Sequence, residues 1–132
     1  MKDLVWGEGL RVGVDEIDED HRRLVELFNM LSHSVAEGDA PEYLAAVLNE
    51  LVNCTVWHFS HEERLMLKYG YEGFEDHKME HEELIRNVRK LQHLVEADKL
   101  VTADDIVFLE KWLTGHILST DTDLAAFLTG VL

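Results

Sequence analysis

The segment HFSHEERLMLKYGYEGFEDHKMEH, residues 58–81, contains two pairs of residue types that commonly bind metals, each pair spaced four residues apart. Side chains four residues apart on an α-helix lie about 40° apart around the helix axis. His58 and Glu62 therefore share one face of a helix, and His77 and His81 share one face of the next. A glycine between the two pairs marks the turn that separates the helices. Three imidazoles and a carboxylate that point into one space form a candidate metal site.

Apolar residues at helical spacing continue outward from this segment on both sides and predict four long helices. The first helix ends at Gly38, the second has Pro41 in its first turn, and the fourth begins at a Thr102 cap. Helices joined by short connections pack as antiparallel neighbours. The sequence therefore predicts an all-α fold, an up-down-up-down antiparallel four-helix bundle.

Length and composition restrict the domain organisation and the classes of partner. With 132 residues and one proline, the chain is expected to form a single domain over residues 1–132, with an irregular N-terminal arm at 1–14, the bundle at 15–132 and a short C-terminal helix. The net charge of −15 argues against a nucleic-acid partner, and no apolar stretch is long enough for membrane insertion. A single cysteine permits no intrachain disulfide, which favours a cytoplasmic location, and we expect a monomer.

Polar residues interrupt the apolar stripe of every predicted helix. Stripe positions normally hold leucine, isoleucine or valine, because burying an unpaired polar group is costly. A single histidine in such a stripe is usually a hydrogen-bonded core residue, but five of the eight histidines occupy stripes in this chain. The full set of candidate metal ligands is His21, His58, Glu62, His77, His81, His116 and Asp121.

The positions of these candidates along the chain predict that they lie at one level of the bundle. In antiparallel helices, residues at the same height are equidistant from the connecting turn. The midpoints between successive candidate groups fall at Ala40–Pro41, beside Gly70 and beside Asp98–Lys99, and all three are predicted turns. The seven side chains are therefore expected to form one layer.

Seven ligands exceed what one first-row metal accepts and suit two metals that share both carboxylates. If an oxo or hydroxo group also bridges the two metals, the five histidines must divide three and two, which leaves one open position for a small ligand. Nitrogen and oxygen donors without a thiolate suit iron, manganese or zinc, and the donor types alone do not separate these metals.

The combined spacings resemble the signature of the hemerythrin family, in the form of its stand-alone bacterial members. The matching elements are DEDH at residues 18–21, His58-x3-Glu62, Tyr71-x5-His77-x3-His81 and Trp112-Leu-Thr-Gly-His116-Ile-x3-Asp121, with Trp6 in the arm. The resemblance implies two iron ions in an oxo- or hydroxo-bridged di-iron centre that binds O₂ reversibly. It assigns the six-coordinate iron to His77, His81 and His116. It assigns the five-coordinate iron, where O₂ would bind, to His21 and His58.

The resemblance also implies an apolar pocket for O₂, made of residues within one turn of the ligands. These residues are Leu24, Phe59, Leu113 and Ile117. Ordinary core packing explains them nearly as well. Other polar residues are expected away from the site: His33, His61 and His93 at the surface or rim, and Glu80, Glu82 and Glu83 on a solvated surface.

One spacing does not fit a straight helix. His116 and Asp121 are five residues apart, which places them about 140° apart on a regular α-helix. Both side chains can face the bundle interior only if the helix is broken, bent or widened between them. A single π-type turn absorbs one extra residue in the most economical way. Leu124 and Phe127 would then restart the apolar face in the short final helix.

Reversible O₂ binding for transport, storage or delivery is the leading functional prediction, and we expect a binding protein, not an enzyme. Ferritin-like oxidases use Glu-x-x-His pairs and more carboxylates than this chain offers. A nitric oxide or peroxide reductase, or a sensor of O₂ or iron, would use the same ligands, and these alternatives stay open. Anaerobic addition of ferrous iron, followed by O₂ addition and removal, separates binding from turnover.

Overall fold

The computed structural model describes residues 4–132, and nearly all of this range is helical. The first three residues of the predicted arm lie outside the described part. The elements in chain order are a 3₁₀ turn at Glu8–Leu10, α1 at Asp15–Glu37, α2 at Pro41–Tyr69, α3 at Phe74–Glu96, α4 at Ala103–Gly115, a π-helical turn at His116–Asp121 and α5 at Thr122–Thr129. Helix α1 packs against α2 and α4, and α3 packs against the same two. The predicted up-down-up-down four-helix bundle is confirmed.

The helix ends follow the signals in the sequence. Gly38 and Gly70 end α1 and α2 with φ of 67° and 70°, in the left-handed region that glycine enters without steric cost. Pro41 opens α2, where its missing N–H loses no intrahelical bond. Thr102 and Asp105 form a capping box at the start of α4: each side chain accepts a hydrogen bond from the other's backbone N–H, at 3.2 and 2.9 Å.

Two apolar clusters form the core and lie on either side of the polar layer. Along α1, His21 falls between Ile17 of one cluster and Leu24 of the other. Along α2, Glu62 falls in the same way between Phe59 and Met66. The larger cluster fills the end of the bundle that holds the α1–α2 connection, and the smaller one includes much of α5. The polar layer is therefore shielded from water by hydrocarbon on both sides.

The N-terminal arm is tied to α1 by side chains of that helix. The Asn29 amide pairs with both the N–H and the carbonyl of Leu4, at 2.9 and 2.8 Å. The buried Asp18 carboxylate accepts backbone hydrogen bonds from Val12 and Gly13, at 2.7 and 3.2 Å. These contacts hold the described part of the arm against α1. Within the described range, no helix combines the length and the apolar character needed to cross a membrane.

Candidate metal centre

All seven predicted ligand side chains meet in one layer between the four helices and are at most 3 % exposed. They are His21 on α1, His58 and Glu62 on α2, His77 and His81 on α3, and His116 and Asp121 at the two ends of the π-helical turn. The expected single layer is confirmed. Their role as metal ligands stays a prediction.

The π-helical turn brings Asp121 into this layer. It runs from His116 to Asp121, and Thr122 donates its hydroxyl to the carbonyl of Ile117 at 3.0 Å. A regular α-helix would place the two site residues on different faces, but here both are buried and their nearest nitrogen and oxygen atoms are 3.1 Å apart. The predicted widening of the helix is confirmed, and α5 restarts the apolar face with Leu124 fully buried.

Glu62 lies at the centre of the layer, and its two oxygens face different histidines. Oε1 is 3.1 Å from the Nε2 atom of His77 and 2.9 Å from that of His81. Oε2 is 3.1 Å from Nε2 of His58 and 3.5 Å from Nε2 of His21. Each oxygen of Glu62 therefore faces a different pair of histidines.

Asp121 repeats this arrangement from the opposite wall. Its Oδ1 is 3.0 Å from Nε2 of His77 and 3.1 Å from Nε2 of His116, and its Oδ2 is 2.9 Å from Nε2 of His21. The ligand atoms thus form two groups that share both carboxylates, and the atoms within each group lie within 4.8 Å of one another. One group contains His77, His81 and His116, and the other contains His21 and His58.

The donor atoms of the layer converge as metal ligands do, and only some of their close approaches have the geometry of hydrogen bonds. Eight buried atoms of these seven side chains have no partner of acceptable hydrogen-bond geometry among the described residues. Two of them are the outer Nδ1 atoms of His21 and His77. The other six face one another inside the layer: the Nε2 atoms of His21, His58 and His116, one oxygen of Glu62 and both oxygens of Asp121. Burying so many unsatisfied polar atoms is costly, and bound metal ions would satisfy these six. The residues therefore fit a pair of metals with nitrogen and oxygen ligands.

The two carboxylates and the imidazoles shift one another's protonation. Burial disfavours the charged form of His58, but Glu62 and Asp20 outweigh it and raise the pKa of His58 to about 10. For His77, burial is likewise outweighed by Asp121 and Glu62, and its pKa rises to about 9. Burial opposes ionisation of Glu62, but the imidazoles around it, His58 foremost, hold its pKa well below the usual value. In the metal-free protein, protonated histidines therefore balance the negative charge of the carboxylates.

These shifts predict opposite effects of pH on the metal-free fold and on metal binding. A pKa raised from 6.5 to about 10 at His58, and to about 9 at His77, gives stability that is complete below about pH 6.5 and lost as the pH rises through 9 to 10. Thermal unfolding of the metal-free protein should therefore occur at lower temperature as the pH rises over this range. Metal affinity should increase over the same range, because only neutral imidazoles bind metals. If the melting temperature of the metal-free protein rises with pH over this range, the result would contradict these pKa shifts.

Three carboxylates outside the layer accept hydrogen bonds from the outer nitrogens of three histidines, and these contacts were not predicted from the sequence. The Nδ1–H groups of His58, His81 and His116 donate to carboxylates at 2.9, 3.0 and 3.1 Å, since a carboxylate can only accept. The acceptors are Asp20, Glu63 and Glu80 respectively. Asp20 lies on α1, Glu63 on α2 and Glu80 on α3, so each acceptor is on a different helix from its histidine. These bonds leave Nε2 of each ring free to bind a metal.

Glu80 lies at the surface as predicted, with its side chain 41 % exposed, but it also contacts the site. It accepts hydrogen bonds from His116 at 3.1 Å and from the hydroxyl of Thr120 at 2.7 Å, and neither contact was predicted. A signal was present in the sequence: Asp20, Glu63 and Glu80 each directly adjoin a predicted ligand. A side chain next to a stripe position is turned about 100° from it and points towards a neighbouring helix.

The three other histidines lie outside the layer. His33 and His93 are exposed, as expected. His61 lies at the rim and is 15 % exposed, and its Nδ1–H donates to Asp20 at 2.8 Å.

The four predicted pocket residues are all buried in the larger apolar cluster. Leu24 and Leu113 line a cavity of about 10 Å³ together with five other apolar residues and Thr55. Phe59 stacks on the His81 ring with the ring centres 3.7 Å apart, and Ile117 follows His116. The cavity is near the lower limit for holding one water molecule, and its lining includes none of the seven candidate ligands. Its role as the ligand pocket stays a prediction.

The fold and this layer define a class of protein: an antiparallel four-helix bundle with a buried, histidine-rich centre able to hold metal. Residues 12–128 match the family model described as the hemerythrin HHE cation binding domain. The chain belongs to the hemerythrin family.

Relatives and solved structures agree with this assignment over most of the chain. A bacteriohemerythrin of Pseudomonas paraeruginosa is 37 % identical over 121 residues, which covers 92 % of this chain and 78 % of that protein. The myohemerythrin of Riftia pachyptila is 30 % identical over 119 residues, which cover 89 % of this chain and 87 % of that protein. A crystal structure of wild-type hemerythrin superposes with a TM-score of 0.86 at 29 % identity, and the match covers 93 % of this chain and 95 % of that one.

Proposed function

We propose that this protein binds O₂ reversibly at a di-iron centre for transport, storage or delivery. The observation that carries the proposal is the pair of ligand groups, three histidines against two, that share Glu62 and Asp121. Membership of the hemerythrin family supports iron as the metal. When bound, two ferrous ions supply the electrons that let O₂ bind and leave.

The histidine count assigns a role to each half of the centre. His77, His81 and His116 would complete one iron together with the two carboxylates and a bridging oxo or hydroxo group. His21 and His58 supply one histidine fewer, so the second iron would keep a position for a small ligand. Glu62 and Asp121 would supply ligands to both irons, because each carboxylate faces both groups of histidines.

The surroundings of the centre favour a binding protein over a reductase. The small cavity includes Leu24, Thr55 and Leu113, which are each three residues along the chain from a candidate ligand. It is lined by seven apolar residues and Thr55, and none of these eight side chains titrates near neutral pH. A reductase needs a group placed to deliver protons to its substrate. The apolar lining would instead keep water away from the open position.

The monomeric state and the cytoplasmic location remain predictions that rest on the sequence.

Anaerobic reconstitution with ferrous iron tests the proposal directly. We expect about two irons per chain and a visible absorption band that appears with O₂ and disappears when O₂ is removed, over repeated cycles. One iron per chain would contradict the shared carboxylates. Continuous consumption of O₂, peroxide or nitric oxide with an added reductant would identify an enzyme instead.

A further inference from the structure

The two halves of the centre differ in how their histidines are supported from outside. In the three-histidine group, the outer nitrogens of His81 and His116 donate to Glu63 and Glu80, and only Nδ1 of His77 has no hydrogen-bond partner within residues 4–132. In the two-histidine group, only His58 has such support, because Nδ1 of His21 has no hydrogen-bond partner within residues 4–132. Retention of the second metal therefore depends on a single outer contact, that between His58 and Asp20.

A second histidine holds Asp20 in place. Oδ2 of Asp20 accepts from Nδ1–H of His58 at 2.9 Å and from Nδ1–H of His61 at 2.8 Å. Nε2 of His61 is in turn 3.3 Å from a carboxylate oxygen of Glu16, which is half-exposed. A chain of contacts thus runs from the surface of α1 through His61 and Asp20 to His58.

This outer cluster is better explained as support for His58 than as a third metal site. Asp20, His58 and His61 do offer three ligand atoms within 4.8 Å of one another. However, a neutral imidazole has one nitrogen with a free lone pair. Because Nε2 of His58 faces Glu62 and His21, its Nδ1 must carry the proton that it donates to Asp20.

The supported histidine lies beside a broad surface groove. This groove has a volume of about 740 Å³, runs between α1 and α2, and is lined by both Asp20 and His58. Asp20 is only 16 % exposed, but it forms part of the groove wall. Water and small chelators in the groove therefore come within one side chain of the two-histidine group.

We propose that Asp20, held by His61, is a positioning residue that fixes the ring of His58 and so determines how firmly the His21/His58 metal is retained. This inference rests on the proposed two-metal centre. The inference predicts that the metal with the open position is also the metal that is released first. Replacing an outer carboxylate of this kind typically lowers metal affinity by about 10–100-fold.

The test is the release of iron to a ferrous-specific chromogenic chelator under argon, which requires no O₂. We expect the unmodified protein to release its two irons in two phases. Asp20→Asn keeps the side-chain shape but removes the charge, and it should accelerate the first phase about 10–100-fold and leave the second unchanged. His61→Gln should accelerate the same phase by a smaller factor, because Asp20 remains.

Glu63→Gln is the matched control, because Glu63 supports His81 in the other half of the centre. It should accelerate the second phase instead of the first. Circular dichroism of the metal-free variants should show unchanged helicity, and the NMR signal of the His58 Nδ1 proton should shift in Asp20→Asn. Equal release rates in Asp20→Asn and the unmodified protein, or equal acceleration of both phases, would overturn this inference alone. A single iron in the unmodified protein would overturn the two-metal centre and this inference with it.

Discussion

Replacement of Glu62 by glutamine is expected to abolish binding of the metal pair. Glu62 is fully buried, and each of its oxygens faces Nε2 atoms of a different ligand group. Glutamine has the same shape, but its NH₂ group cannot bind a metal and would face imidazoles that carry lone pairs. The charge that offsets two cations is lost as well. Elemental analysis after reconstitution should fall from two irons per chain to at most one.

Glu63→Gln is the control for this prediction too, since it makes the same chemical change one residue further along α2. It should still bind two irons, because the contact of Glu63 with the site is to the outer nitrogen of His81 and not to an atom that faces the metals. Helicity should survive in both variants, because the apolar clusters on either side of the layer hold the bundle together. Two tightly bound irons in Glu62→Gln would contradict the bridging role.

The sequence predicted those parts of the structure that depend on a residue's own helix. Helix ends depend on local chemistry, so Gly38 and the Thr102 cap were read correctly. The level of each ligand depends on its distance from the nearest turn, which is also a property of the chain alone. The π-helical turn followed from the five-residue spacing of His116 and Asp121, because only a widened helix lets both side chains point inward.

The sequence did not predict contacts that depend on how two helices are rotated against each other. Asp20, Glu63 and Glu80 are polar residues on the flanks of their helices, where acidic side chains normally contact water. They reach the histidines of the next helix only because the bundle packs closely at that level. For the same reason, the sequence predicted Leu24 and Leu113 in the lining of the small cavity but not its other residues.

Leu113→Ala is expected to destabilise the protein and to accelerate oxidation of its ferrous iron in air. Leu113 is 6 % exposed, lies one helical turn before His116 and lines the small cavity. Truncation of a buried leucine leaves a larger cavity and typically costs about 2–5 kcal/mol of unfolding free energy. The enlarged space beside the centre would also admit water to the open metal position. Denaturant unfolding measures the first effect, and the loss of O₂-dependent absorbance over time measures the second.

Leu128→Ala separates the two effects. Leu128 is fully buried, but it lies in α5 within the smaller apolar cluster, on the other side of the metal layer. Its truncation should cost a similar amount of stability, about 2–5 kcal/mol, because it too removes buried hydrocarbon. It should leave the oxidation rate close to that of the unmodified protein, since it opens no space next to the cavity. If both variants oxidise equally fast, the rate follows overall stability, and Leu113 has no special role in keeping water from the iron.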